Sequence, residues 1–399
     1  MSLLGFCEWL RIRPGGCWRK LLRKKRWYTS AGPGCIRQLW ILKEKKMKKY
    51  YLVLLMIVLT MSSGLTSAAP ATGSYHLLKK IPLGEAPGGL EYFDYLVVDP
   101  PSRRVYATHA SEVRVFDADT FAEVGKISGL KKAHGLALVQ EVGKGYITDG
   151  DAYEVVVFDI KTLKVTGRIK GLIQADNIIY DPASKHVFCF DGDVNNNKDK
   201  SFNVIDPETD TLIKTVQLPG PPEASVADGK GMVYDNNVGT SEVVVIDSRA
   251  LTIKAKWPVA PGGEPVAMAM DREHRRLFSS GHNPPTLVVI NADNGKILQS
   301  IPISDGADSS AFDPATGLVY VSTKAGKIHI FHEDSPDKFS EVGTVSTEFG
   351  AKTMALDPQT KNIFLTTSDF GPPPPATPER PHPGPTQILG TARLLIYGK

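Results

Sequence analysis

Ala311–Phe331, AFDPATGLVYVSTKAGKIHIF, decides the fold. It reads as the end of one strand, a tight turn at Asp313-Pro314, a second strand, a short loop and a third strand. Asp-Pro starts turns because the proline ring fixes its own backbone angle while the aspartate carboxylate accepts from nearby amides. LVYVS and KIHIF are short and rich in β-branched and aromatic residues, the composition of a pleated and largely buried surface. One such unit cannot bury both of its faces, so it has to stack on others.

The chain supplies them. The aromatic of the second strand recurs at Tyr106, Tyr146, Phe188, Tyr234, Phe278, Tyr320 and Phe364, in steps of 40, 42, 46, 44, 42 and 44 residues. The preceding turns read VVDP, IYDP, VADG, AMDR, AFDP and ALDP, with LVQE (138–141) divergent. The third strand recurs as VRVFD, VVVFD, FNVID, VVVID, LVVIN, KIHIF and LLIYG. A fourth strand follows each of the first six copies, from AEVGKI (122–127) to SEVGTVS (340–346). Four strands every ~40–45 residues is the signature of a propeller blade. The fold expected is therefore all-β, a seven-bladed β-propeller over 74–399. The seventh copy has no fourth strand after it, and His76–Leu83, HLLKKIPL, resembles KILQSIPI of blade five. That N-terminal strand is expected to complete the last blade and close the ring, which removes free sheet edges.

These motifs, VYV-type strands followed by VxVID with D-P turns, resemble the YncE-like or YVTN-repeat family of WD40-like seven-bladed propellers across Ser74–Lys399. The resemblance implies a binding role more than a chemical one. Related propellers include lactonases, and no family-wide catalytic motif carries over.

Composition divides the chain. Of 47 Lys and Arg and 43 Asp and Glu, residues 1–49 hold 14 and 2, so the remainder is acidic, with 33 basic against 41 acidic residues. Met47-Lys48-Lys49, the apolar run Tyr50–Met61 and the small residues Thr66–Ala69 read as a secretory signal, 47–68, with 1–46 as a leader or an over-extended start. The run is too short for a comfortable span, so the mature chain is expected to be free of membrane spans and periplasmic or secreted; it is also expected to be a monomer. Its acidity argues against nucleic acid as a partner. Cys7, Cys17 and Cys35 lie in the front segment. Cys189 alone makes no internal disulfide and reads as a core residue.

Function should lie where the copies differ. Five residues before each turn aspartate, or its equivalent, stand Asp94, His134, Asp176, Glu223, Val266, Asp308 and Lys352, of which six are ionisable. The loops after the second strands add His109, Asp149, Asp191, Asn236, His282 and Asp369. Both sets are expected on one face, around the mouth of the central channel. Such a rim suits a small-molecule or protein ligand. It also suits a divalent cation, calcium or a transition metal, whose bound water would attack an ester or lactone. A polar rim that only caps strand amides remains the third reading. Two further features stand out. Asp191, Asp193, Asn195, Asn197 and Asp199 alternate as in a calcium loop, but Asn196 and Phe202 stand where Gly and Glu are wanted. Gly371–Pro385, GPPPPATPERPHPGP, inserts a stiff loop into blade seven that could lid the mouth with Arg380 and His382. Cation binding and metal-assisted hydrolysis both remain open at this stage; no G-x-S-x-G elbow supports a serine nucleophile.

Overall fold

The computed structural model describes residues 74–192, 200–377 and 383–399, all within one compact unit, Ala69–Lys399. It contains seven four-stranded antiparallel sheets. Blade one runs Leu96–Asp99, Arg104–His109, Glu112–Asp117 and Glu123–Ser128, and blades two to six repeat that simple order. Among the described residues the only helical pieces are two 3-10 turns, Gln140–Val142 and Gly150–Ala152. Among the described residues no helix is long and apolar enough to cross a membrane.

Blade seven is built as the repeat requires. Met354–Leu356, Ile363–Thr367 and Arg393–Gly398 form its inner three strands, and His76–Pro82 pairs antiparallel with Arg393–Gly398, from His76 against Gly398 to Pro82 against Arg393. The ring is thus closed by hydrogen bonds, within blade seven, between the two ends of the repeat region.

The second-strand aromatics explain the stacking. Tyr106, Tyr146, Phe188, Tyr234, Phe278, Tyr320 and Phe364 are all fully buried. They sit in apolar clusters that join consecutive blades: Tyr106 with Val156 and Phe158 of blade two, Phe364 with Val105 and Phe116 of blade one. Cys189 belongs to the same layer and is wholly buried, and burial raises its thiol well above the ordinary range. It packs as a small core residue.

The aspartates act as the turn chemistry dictates. Asp117 accepts from Asp119 N, Thr120 N and Thr120 Oγ1, and Asp159 and Asp247 repeat the pattern. On the first turns of blades three to seven, Asp181, Asp228, Asp271, Asp313 and Asp357 accept from the amides two residues on. Several of these buried carboxylates are also met by a cation from the next blade. Arg103 Nη1 and Nη2 reach both oxygens of Asp357 at 2.9 and 2.7 Å, Lys361 Nζ reaches Asp313 at 2.8 Å, and Arg275 Nη1 reaches Asp228 at 3.0 Å.

The prolines of blade seven are placed in part. Phe370–Gly371 pairs with Thr386–Gln387 and pinches the base of the inserted loop. Arg380 and His382 lie outside the described residues, as do Asp193, Asn195, Asn197 and Asp199 of the calcium-like loop and the whole of the leader and signal segment.

Candidate functional site

Strand one of each blade lines the central channel, and in blades two to six it carries a bulge near its start. The pairing slips between Ala133 and Leu136, Ala175 and Ile178, Pro222 and Ser225, Pro265 and Ala267, and Ala307 and Ser309. Within or beside each slip sits the residue expected at the mouth. A bulge inserts one unpaired residue and re-aims its side chain, here into the channel. The sequence positions and the geometry therefore coincide: Asp94, His134, Asp176, Glu223, Val266, Asp308 and Lys352 all line one cavity of about 310 Å³. A second cavity of about 220 Å³ continues along the channel between the strand-one side chains and shares Tyr95 and Asp308 with the first.

The polar groups of the mouth are not alike. His134 Nδ1 lies 2.9 Å from Asp94 Oδ2 and 3.2 Å from Asp176 Oδ1, and the Tyr92 hydroxyl, 2.8 Å from the same nitrogen, donates to Asp94 Oδ2 at 2.5 Å. One ring N–H cannot serve two carboxylates equally, and Asp176 Oδ1 is buried without a hydrogen-bond partner. Burial alone would depress the imidazole; its two carboxylate neighbours outweigh that and push it up to about 10. Burial would likewise raise Asp94, but the His134 contact holds its carboxyl low. Across the cavity Lys352 Nζ meets Asp308 at 2.9 Å, yet Asp308 is still raised, chiefly by burial. Glu223 is raised well above the ordinary range, by burial first and then by the charges of Asp176, Asp308 and Asp94. Burial also keeps Tyr92 and Tyr95 protonated.

The second set of expected rim residues has another job. His109 is wholly buried with Nε2 3.0 Å from Glu91 Oε1, Asp149 accepts from Lys131 N and Lys132 N at 2.9 and 2.8 Å, and His282 Nε2 stands 2.8 Å from the Ala307 carbonyl. Asp191 accepts from Ile173 N at 2.8 Å and from Asn203 Nδ2, and burial first of all raises it to about 7. Asn236 donates to the Ala267 carbonyl, and Asp369 pairs with Arg393 at 2.9 Å. None of these lines the mouth cavity. Most occupy the ends or flanks of second strands and tie one loop to the next, which is why polar residues recur there.

Tyr92, Tyr95, Lys132, Asp151 and Gln174 line the cavity and were missed by counting one position per blade. The signal available was the run Glu91-Tyr-Phe-Asp-Tyr95, where two tyrosines flank the first mouth carboxylate. The Lys132 ammonium lies 4.3 Å from the Tyr92 ring centre, a cation–π contact at the rim. The donor atoms of Asp94, His134 and Asp176 all fall within 4.8 Å of one another, close enough to share a metal ion.

The closed ring and its channel site define the class: a seven-bladed β-propeller with an ionisable mouth. Solved structures agree with the class. The chain is similar to Kuenenia stuttgartiensis hydrazine synthase, with a TM-score of 0.60 at 15% identity over 71% of this chain and 96% of that one. It is also similar to a functionally unknown protein from Desulfotomaculum acetoxidans, with a TM-score of 0.57 at 13% identity over 68% and 87%. At such identities the likeness is one of fold. No protein-family model matches the chain, and no curated protein does.

Proposed function

We propose that this is an exported, YncE-like propeller that binds a small cationic ligand at its channel mouth. The carrying observation is charge imbalance within one cavity. Asp94, Asp151, Asp176, Glu223 and Asp308 face only His134, Lys132 and Lys352 in the same cavity. Like charges crowded in a low-dielectric cleft attract a counter-ion, and here they add to burial in pushing the Glu223 carboxyl well above the ordinary range. An organic ammonium can answer that charge, stack on Tyr92 or Tyr95 and fit about 310 Å³, the small end of ligand pockets. The secretory-type segment 47–68 supports export, and the repeat motifs support the YncE-like assignment.

Thermal-shift screening with mono-, di- and triamines tests the reading, with putrescine as the reference probe. The expected result is a rise in melting temperature with the diamine that disappears in Glu223→Gln and weakens at high salt. No amine stabilising the chain at millimolar concentration would refute it. Zinc-dependent lactone hydrolysis that vanishes in His134→Ala would replace binding by catalysis.

A further inference from the structure

The side of the ring carrying the first turns of the blades holds a second cluster, at the junction of blades five and six. It is visible through a break in the repeat. The residue four places after the turn aspartate adopts a left-handed backbone in several blades: Arg103 (φ 53°), Lys185 (φ 61°), Arg275 (φ 58°), Gly317 (φ 65°) and Lys361 (φ 64°). Where that residue is Arg103, Arg275 or Lys361, its cation crosses to the turn carboxylate of the preceding blade, Asp357, Asp228 or Asp313. Blade six has Gly317 there. Its side of the pair is lost, and the turn carboxylate it would have met is Asp271, buried at 2% side-chain exposure.

What stands beside Asp271 instead is a second acid. The third and fourth strands of blade six, Lys327–Ser335 and Lys338–Ser346, run nine residues each, whereas the third strands of blades one to five have six or seven. The overhang folds against blade five, where Arg276 Nε donates to the Pro336 carbonyl and Arg276 Nη2 meets Asp337 at 2.7 Å. This seats Glu333 beside Asp271 with a side chain only 5% exposed. His274 Nδ1 lies 2.8 Å from Asp271 Oδ2 and 2.9 Å from Glu333 Oε1, and Glu333 Oε1 is buried with no hydrogen-bond partner. Two buried carboxylate oxygens thus converge on one half-exposed imidazole nitrogen, all within 4.8 Å of one another, at the edge of a cavity of about 280 Å³. One imidazolium in contact with two buried acids leaves them short of a full counter-charge.

We propose that Asp271, His274 and Glu333 bind one divalent transition-metal ion of the zinc or manganese type, which joins blade five to blade six where three other junctions use Arg or Lys. One nitrogen and two carboxylate oxygens suit a borderline ion that keeps water in its remaining positions. Calcium fits less well, since it asks for six or more oxygens. The site is separate from the mouth and does not depend on the ligand reading.

The test uses the full chain, stripped with a chelator and titrated calorimetrically with zinc, manganese and calcium in turn. Zinc or manganese should bind and raise the melting temperature; calcium should do neither. Glu333→Gln, isosteric and one charge lighter, should weaken this binding at least ~100-fold, since even losing an outer-shell partner costs 10–100-fold. Gly317→Lys should also abolish it, because the same backbone angle already carries Lys361 and the new ammonium would reach Asp271. An added Cβ there meets Glu333 Cβ no closer than 3.8 Å. Gly317→Lys should therefore fold and stabilise the stripped chain. Binding of neither ion, binding that survives both substitutions, or binding lost in Asp176→Asn instead would overturn the proposal.

Discussion

At the scale of single residues, the mouth is governed by which carboxylates have a partner. His134 is pushed up to about 10 from an ordinary 6.5, so its stabilising contribution is complete below pH 6.5 and is lost as pH rises through 10. An NMR titration of the imidazole should find it still protonated at pH 8; a midpoint near 6.5 would contradict the pairing. His134→Ala leaves Asp94 and Asp176 facing each other and should cost about 3–5 kcal/mol by chemical denaturation, the usual penalty for orphaning a buried charge. Asp357 runs the opposite way. Burial would raise it, but the Arg103 fork holds it at about 2 from an ordinary 3.8, so its contribution is present above pH 3.8 and fades as pH falls through 2. Asp357→Asn should remove on the order of 1–2 kcal/mol at pH 7 and flatten the acid limb of the stability profile. Counting back from the turn aspartates found the seven mouth residues because they share one repeat position, which in blades two to six is a bulge that aims the side chain inward. The same procedure could not find Tyr92, Lys132 or Gln174, because it takes one position per blade and these stand two residues before it. It also placed His109, Asp149 and His282 at the rim, because a polar residue ending a strand looks the same in sequence whether it faces a ligand or ties down a neighbouring backbone.

At the scale of elements, the N-terminal strand is the one with most at stake. His76–Pro82 is largely exposed on its side chains, so what it supplies is backbone pairing to Arg393–Gly398, with Leu83 buried at its end. Deleting 74–83 should leave that strand as an unpaired apolar edge, since Leu394, Leu395 and Ile396 are wholly buried in the intact ring. Size-exclusion chromatography should then show oligomers or aggregate; a monomer with an unchanged melting temperature would contradict the closure. The strand was legible because HLLKKIPL copies the fourth strand of blade five. The blade-six overhang was not, for its sequence, HEDSPDKF, reads as an ordinary polar turn. Only the neighbouring blade shows that the turn folds onto Asp271 and His274.

At the scale of the molecule, seven similar sheets give a closed ring whose identity in sequence is the buried layer, and whose individuality shows at the channel mouth, the blade junctions and the insertion of blade seven. The fold was therefore plain from periodicity, because every copy has to satisfy the same packing. Function was less so, because the mouth is assembled from residues about 40 apart, with no local motif. The net acidity of the body, 33 basic against 41 acidic residues, matches a mouth that draws cations, and that attraction should weaken with ionic strength over a screening length of about 8–10 Å. The most direct test is calorimetric titration of putrescine into the wild-type chain, Asp176→Asn and Glu223→Gln, each at low and at 0.5 M (roughly threefold physiological) salt. One diamine per chain at low salt, weakened about tenfold or more by either substitution and by salt, is the result expected. Heats that are absent, or equal in all three proteins, would contradict a cation site at the mouth.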